Sequence, residues 1–192
     1  MFMRNLTQRS FLLALALGVF ALTTLPAQAA KLKTEDELIA ELSGADGKKV
    51  AEAMLALERQ FPTSTRTQGE IKKFLADSRE AVRRKAGRVL GALHAEVSEA
   101  DLKKIVDMLK ATSNPEVMDA LKSLRGLKAE SALPQIVPLL KSADLGVIRD
   151  ACRTVAMFGS MANVSDLEPL LQHADPKVQK DAQDAISTLK AK

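Results

Sequence analysis

Residues 82–93 have the sequence VRRKAGRVLGAL, and this stretch decides the fold. Val82, Ala86 and Leu90 recur every fourth residue, which places them on one face of a helix. Arg84 and Arg88 fall on a different face when each residue is rotated by about 100°. The stretch therefore predicts an amphipathic helix with a small residue at the centre of its apolar stripe.

The same apolar pattern recurs five times along the chain, at separations of 33, 34, 31 and 31 residues. Four columns of residues share these separations: Leu38, Ile71, Ile105, Ile136 and Leu167; Leu42, Leu75, Leu109, Leu140 and Leu171; Ala53, Ala86, Ala120, Ala151 and Ala182; and Leu57, Leu90, Leu124, Val155 and Ile186. A single unit of this size cannot bury its apolar stripe alone and must stack on its neighbours. The repeats therefore predict an all-α solenoid.

Each unit is predicted to contain two helices. The second and third residues of the pattern are eleven residues apart, which leaves room for a helix end, a short turn and a new helix start. Residues suited to the start of the second helix fall in one column: Asp46, Ser113, Asp144 and Asp175. Thr34 with Glu37, and Thr67 with Glu70, match the capping box that opens a first helix. The predicted units are 31–64, 65–97, 98–130, 131–161 and 162–192.

Several segments resemble HEAT repeats. Val82, Ala86 and Leu90 with Gly91 and Leu93 match the second-helix pattern of that family. Leu133-Pro134-x-Ile136-Val137-Pro138-Leu139-Leu140 and Leu167-Glu168-Pro169-Leu170-Leu171 are similar to its first helix, with Pro138 and Pro169 in one column. The short units are similar to those of phycobilisome-lyase-type HEAT proteins, and the resemblance covers residues 31–192. Lys49 and Glu116 depart from it, because they occupy the column of Val82.

The first 29 residues have the composition of a cleavable secretory signal peptide. Arg4 and Arg9 precede the apolar run Phe11–Leu22, and Ala27 and Ala29 form an A-x-A site. The run is shorter than the roughly 20 residues that a transmembrane helix needs. We expect cleavage after Ala29, no stable membrane anchor afterwards, and export to the periplasm rather than the medium.

The composition offers little for catalysis or for cofactor binding. The chain has one Cys, two His, and neither Trp nor Tyr. Cleavage would leave 26 basic and 24 acidic residues, too small an excess to indicate a nucleic-acid partner. His94 and His173 are predicted near helix C-termini, and Cys152 is predicted to be a packing residue on a half-buried edge. The sequence therefore predicts no enzyme activity, no catalytic residue, no cofactor and no metal site.

One charged pattern suggests a binding surface. Residues two and six after the Val82 column form a basic ladder: Arg84, Arg88, Lys122, Arg149, Arg153 and Lys180. In HEAT stacks the second helices line the concave groove, so the resemblance implies that the basic ladder could grip an acidic segment of another protein. The adjacent column contains Asp119, Asp150 and Asp181, so the alternative is a set of ion pairs that only solvates this face.

Two functions remain open from the sequence. The first is an exported, non-enzymatic protein–protein interaction module, a scaffold or adaptor with protein partners. The second is an accessory or regulatory subunit of an enzyme, of the lyase or maturation-factor type. A stand-alone enzyme would need a pocket with a perturbed acid or base, which the sequence does not locate. The identity of the partner and the oligomeric state are not determined by the sequence.

Overall fold

Helices succeed one another along residues 32–192, which are the residues that the computed structural model describes. Their bounds are α1 (Glu35–Glu41), α2 (Gly47–Gln60), α3 (Thr65–Lys72), α4 (Glu80–Ala92), α5 (Glu99–Asp107), α6 (Asn114–Gly126), α7 (Leu133–Ile136), α8 (Leu145–Phe158), α9 (Val164–Leu167) and α10 (Pro176–Lys190). This part of the chain contains no β-strand, and none of its helices is long and apolar enough to cross a bilayer. The predicted signal peptide at residues 1–29 lies outside it.

The helices form five successive pairs, each with a short first helix and a longer second helix. Each second helix contacts the second helix of the next pair, so that α2, α4, α6, α8 and α10 form one continuous layer. The first helices form the other layer. This arrangement confirms the predicted all-α solenoid of about five two-helix repeats.

Four of the first helices, α3, α5, α7 and α9, change from α to 3₁₀ geometry at their C-terminal ends. The 3₁₀ segments are Lys73–Ala76, Met108–Lys110, Val137–Lys141 and Glu168–Gln172. The change comes after a single α-turn in α7 and α9, where Pro138 and Pro169 follow. Proline lacks the N–H that an α-helix would use and its ring crowds the preceding turn, so the α geometry cannot continue.

The four apolar columns form the core. Every column member is buried except Leu171, which is half-buried in the fifth pair. The five alanines of the third column are at most 2% exposed. Their methyl groups let neighbouring helices approach closely while the larger residues fill the space around them.

Most predicted helix starts are confirmed. Asp46, Asp144 and Asp175 each cap a second helix by accepting hydrogen bonds from its first amides. Ser113 precedes α6, but its hydroxyl donates to Glu80 Oε1 at 2.7 Å instead of accepting from the helix.

The two predicted capping boxes had different outcomes. Thr34 and Glu37 form the predicted box at α1. The box at Thr67 was wrong, because α3 begins earlier, with Ser64 as its cap. Thr67 is buried instead, and its hydroxyl donates to Glu35 Oε1 at 2.7 Å in the preceding pair.

Glu116 departs from the repeat pattern because it takes part in a buried ion pair. It is 4% exposed, and the Arg83 guanidinium contacts both of its carboxylate oxygens, at 2.9 and 3.1 Å. A bidentate arginine satisfies a carboxylate that burial would otherwise destabilise. In the first pair the corresponding residue Lys49 is exposed, and its neighbour Val50 is buried.

Helices α4 and α6 cross at backbone contact. A Cβ atom at Gly126 would lie 2.2 Å from the carbonyl oxygen of Gly91, and one at Gly91 would lie 2.8 Å from the Cα of Ser123. These two glycines therefore set the separation of α4 and α6, because any larger residue would push the helices apart.

Candidate ligand groove on the second helices

A groove of about 730 Å³ lies on the layer of second helices, between α2, α4 and α6. Six cationic side chains line it: Lys48, Arg79, Arg84, Lys85, Arg88 and Lys122. Asp119 is the one carboxylate in the lining, and small or apolar residues that include Ala51, Ala81, Pro115 and Met118 complete it. We call this feature the basic groove.

Asp119 is shared among three of these cations. Its carboxylate contacts Arg84 Nε at 2.9 Å and Arg88 Nη1 at 3.3 Å, both across the α4–α6 boundary. Lys122 Nζ is 3.9 Å away on the same helix as Asp119. Arg84 also contacts Glu80 at 3.4 Å, and Lys122 lies 3.8 Å from Asp150. The arginines and Lys122 are therefore partly compensated by carboxylates.

Two lysines of the basic groove have no partner of opposite charge. Within residues 32–192, neither Lys48 nor Lys85 lies within ion-pair distance of a carboxylate. Their ammonium groups are thus available to an external anion without the loss of an internal contact.

Arg79 has a structural role at the edge of the basic groove. Its guanidinium contacts Asp77 Oδ2 at 2.8 Å and donates to the carbonyl oxygens of Gly44 and Ala45 at 3.1 and 3.0 Å. The hydrogen bond from Arg79 holds the pKa of Asp77 below its ordinary value. Arg79 therefore ties the start of α4 to the turn before α2.

The C-terminal part of the basic ladder is balanced by acids. Arg149 Nε lies 2.6 Å from Asp181, and Arg153 lies 3.1 Å from Asp181 and 3.3 Å from Asp150. Lys180 pairs with Asp184 one turn later on α10. These cations lie outside the basic groove.

The structure divides the six residues of the predicted basic ladder into two sets. Arg84, Arg88 and Lys122 lie in the basic groove, whereas Arg149, Arg153 and Lys180 form ion pairs on α8 and α10. Asp119, Asp150 and Asp181 do pair with the basic ladder across neighbouring helices, as the alternative interpretation described. Whether any of these residues binds a partner stays a prediction.

Sequence reasoning missed Lys48, Lys85 and Arg79 as lining residues. Lys48 is one residue before the Val82 column and Lys85 is three after it. At about 100° per residue, both positions fall within about 60° of the basic ladder on the helix surface. The same rotation argument, extended to these two columns, would have found them.

Cys152 is fully buried, at 0% exposure, so the predicted half-buried edge was wrong. Burial raises the pKa of its thiol to about 12, because the thiolate would lose its hydration. The Nδ1 atom of His94 lies 2.7 Å from the carbonyl oxygen of Gly126, and His173 Nδ1 accepts the N–H of Asp175 at 3.0 Å. Residues 32–192 contain no group of His, Cys and carboxylate residues that could hold a metal ion.

Known structures have the same architecture, although the sequence matches no protein-family model and no curated protein. The complex of CpcE and CpcF of phycocyanin lyase from Nostoc sp. PCC7120 matches with a TM-score of 0.72 and 20% identity, covering 87% of this chain and 69% of that chain. A designed armadillo repeat protein in complex with the peptide (KR)4 matches with a TM-score of 0.59 and 21% identity, covering 79% of this chain and 80% of that chain.

These likenesses, at such low identity, concern the fold. The chain is an α-solenoid of the class that contains HEAT and armadillo repeats. Within that class its repeats are HEAT-like, with the two-helix units seen in its own structure.

Proposed function

We propose that this protein is an exported, non-enzymatic scaffold that binds an acidic segment of a partner protein in the basic groove. The observation that carries the proposal is that Lys48 and Lys85 of the basic groove have no carboxylate partner among the described residues, while Asp119 is shared by three further cations. A surface patch of one sign attracts ligands of the opposite sign and raises their rate of association.

The solenoid fold favours an extended protein ligand over a small molecule. Stacked repeats present a long surface along which successive units can contact successive residues of a chain. The designed armadillo protein bound to (KR)4 is a similar fold that carries a charged peptide. In the present chain the surface itself is basic, so the expected ligand is acidic.

Lys48 and Lys85 are the residues with which to test this proposal. Because neither forms an ion pair within the described residues, reversing their charge leaves the internal contacts of the basic groove intact. Charge reversal at the paired arginines would instead place a new carboxylate beside Asp119 or Asp181 and disturb the fold. These arginines are Arg84, Arg88, Arg149 and Arg153.

The experiment measures binding of a fluorescent glutamate-rich peptide to the purified protein by anisotropy, at low and at high salt. We expect binding that weakens with salt, and that K48E/K85E weakens about tenfold or more, because two attractive contacts become repulsive. K141E/K177E is the matched control, with the same change in net charge at exposed lysines outside the basic groove. Equal losses in both variants would refute a specific site.

Export is part of the proposal and has its own measurement. Fractionation of the source cells, followed by N-terminal sequencing, should recover a chain that begins at Ala30 from the periplasm. A chain that retains residues 1–29 in the cytoplasm would refute export.

A second candidate is an accessory subunit of an enzyme, which the likeness to the phycocyanin lyase complex favours. This function requires that activity arises only when a second protein is present. A captured partner that is catalytically silent alone and active with this chain would favour the accessory role over the plain scaffold. Turnover by this chain unaided would refute both.

A further inference from the structure

Three successive second helices each contribute one weakly held lysine to the basic groove. Lys48 is two residues after the cap of α2, Lys85 is six after the cap of α4, and Lys122 is nine after the cap of α6. Each lysine therefore lies about one helical turn further along its helix than the one before. The three lysines define a diagonal line across the basic groove.

Lys122 is only loosely engaged by the protein itself. Its ammonium lies 3.9 Å from Asp119 and 3.8 Å from Asp150, whereas the arginines reach Asp119 at 2.9 and 3.3 Å. A carboxylate of a ligand can thus form an ion pair with Lys122 without breaking a close contact, as it can with Lys48 and Lys85.

The spacing along the diagonal follows from helix geometry. Packed helices lie about 8–10 Å apart, and a shift of three or four residues adds about 5–6 Å along the axis. Successive lysines are therefore anchored about 10–11 Å apart. An extended chain in the polyproline II conformation has three residues per turn and rises about 3.1 Å per residue. Residues three apart in it therefore lie on one face and about 9 Å apart, a step that the flexible lysine and glutamate side chains can bridge.

The step between lysines suits an extended ligand better than a helical one. At a rise of about 1.5 Å per residue, a helix needs about seven residues for each step, whereas an extended segment needs three. Small residues in its lining, Ala51 and Ala81 among them, leave room for a peptide backbone.

We infer that the basic groove selects an extended acidic segment whose carboxylates recur at every third residue, one opposite each of Lys48, Lys85 and Lys122. This inference rests on the proposed function and adds the sequence pattern of the ligand. The three carboxylates occupy positions 1, 4 and 7 of a seven-residue stretch.

The test uses fluorescent peptides of identical composition, three Glu residues among Gly and Ser, with the purified protein at low salt. In the first peptide the Glu residues are at positions 1, 4 and 7, and in the second they are contiguous. A contiguous triplet spans too little length to reach all three lysines, so we expect the spaced peptide to bind about tenfold tighter. K85E removes the middle contact and should reduce that ratio to about twofold.

The outcomes separate the inference from the proposed function. If both peptides bind equally and both lose affinity in K48E/K85E, the spacing is wrong and acidic binding in the basic groove stands. A third peptide, with Glu at every seventh position, tests a helical ligand. If this peptide binds tightest, the extended conformation is overturned in favour of a helix. If neither peptide binds to the folded protein, the proposed function fails together with the inference.

Discussion

The basic groove and the C-terminal helices α8 and α10 carry two parts of the basic ladder and differ in charge balance: the first has lysines that are unpaired within residues 32–192 and the second is balanced. In both parts a cation of one second helix pairs with an acid of the next, as Arg84 does with Asp119 and Arg149 with Asp181. Arg149, Arg153 and Lys180 face Asp150, Asp181 and Asp184 in equal number.

The difference arises at one position of the repeat. The column that supplies Asp119, Asp150 and Asp181 to later helices supplies Lys85 to α4. Helix α4 consequently has no acid in that column, and the positive charge of Lys85 stays available while the arginines of α4 are paired. A lysine in place of an aspartate at this one column therefore distinguishes the basic groove from the balanced face of α8 and α10.

The largest expected effect is on the helix crossing that holds the basic groove together. Gly126→Ala places a Cβ against the backbone of Gly91, and we expect a loss of about 3 kcal/mol in the free energy of unfolding. Urea denaturation measures it. Gly69→Ala is the control, since a Cβ there meets nothing within 4 Å and should stabilise helix α3 by up to about 1 kcal/mol. Equal stability of the two variants would show that α4 and α6 can separate freely.

Asp150 joins the two parts of the ladder. It is 3% exposed and contacts Arg125, Arg153 and Lys122 at 3.3–3.8 Å. Asp150→Asn should cost about 2 kcal/mol in the free energy of unfolding, because the largely shielded guanidinium of Arg125 loses its counter-charge. Asp184→Asn, in the exposed pair with Lys180, should leave the free energy of unfolding nearly unchanged. A similar cost for both would mean that burial does not strengthen the ladder.

Asp119 should compete with an acidic ligand. Asp119→Asn frees Arg84 and Arg88, so we expect a roughly threefold gain in affinity for the acidic peptide alongside a loss of stability. Asp181→Asn on α10 should leave that affinity unchanged. Peptide titration and urea denaturation on the same samples measure both quantities. A fall in affinity for Asp119→Asn would instead assign Asp119 to positioning the two arginines.

The smallest effect concerns Cys152 in the core beside α10. With its pKa raised to about 12, the thiol should react slowly with iodoacetamide at neutral pH in the folded protein and quickly in urea. Burial favours the protonated form, so its stabilising contribution is complete below the unfolded pKa of about 8.5 and is lost as the pH rises towards 12. Cys152→Ala should remove this part of the alkaline destabilisation. Fast alkylation of the folded protein would contradict the burial.

Much of the fold could be predicted, because the residues that recur in an apolar column are the residues that the fold buries. Ala86 and Leu90 are buried in the structure for the same reason that they repeat in the sequence, since every unit must cover its neighbour. Glu116 could not be predicted in this way. Its burial depends on Arg83, 33 residues away, which only the stacking of α4 on α6 brings within hydrogen-bond distance.

The candidate site was predicted less completely than the fold. Rotation about a helix axis identified Arg84, Arg88 and Lys122, because it depends on one helix at a time. The rotation argument could not predict that Asp119 contacts two arginines or that Lys85 has no acid opposite it among residues 32–192. Both facts depend on the relative axial positions of neighbouring helices.

By itself the sequence determined a solenoid of two-helix repeats and the face on which the charges lie. Helix periodicity and the need to bury apolar surface act locally and repeat with every unit. The tertiary structure alone decided which charges are paired and which remain open. Ion pairing depends on distances of a few ångströms between helices, and only packing fixes those distances.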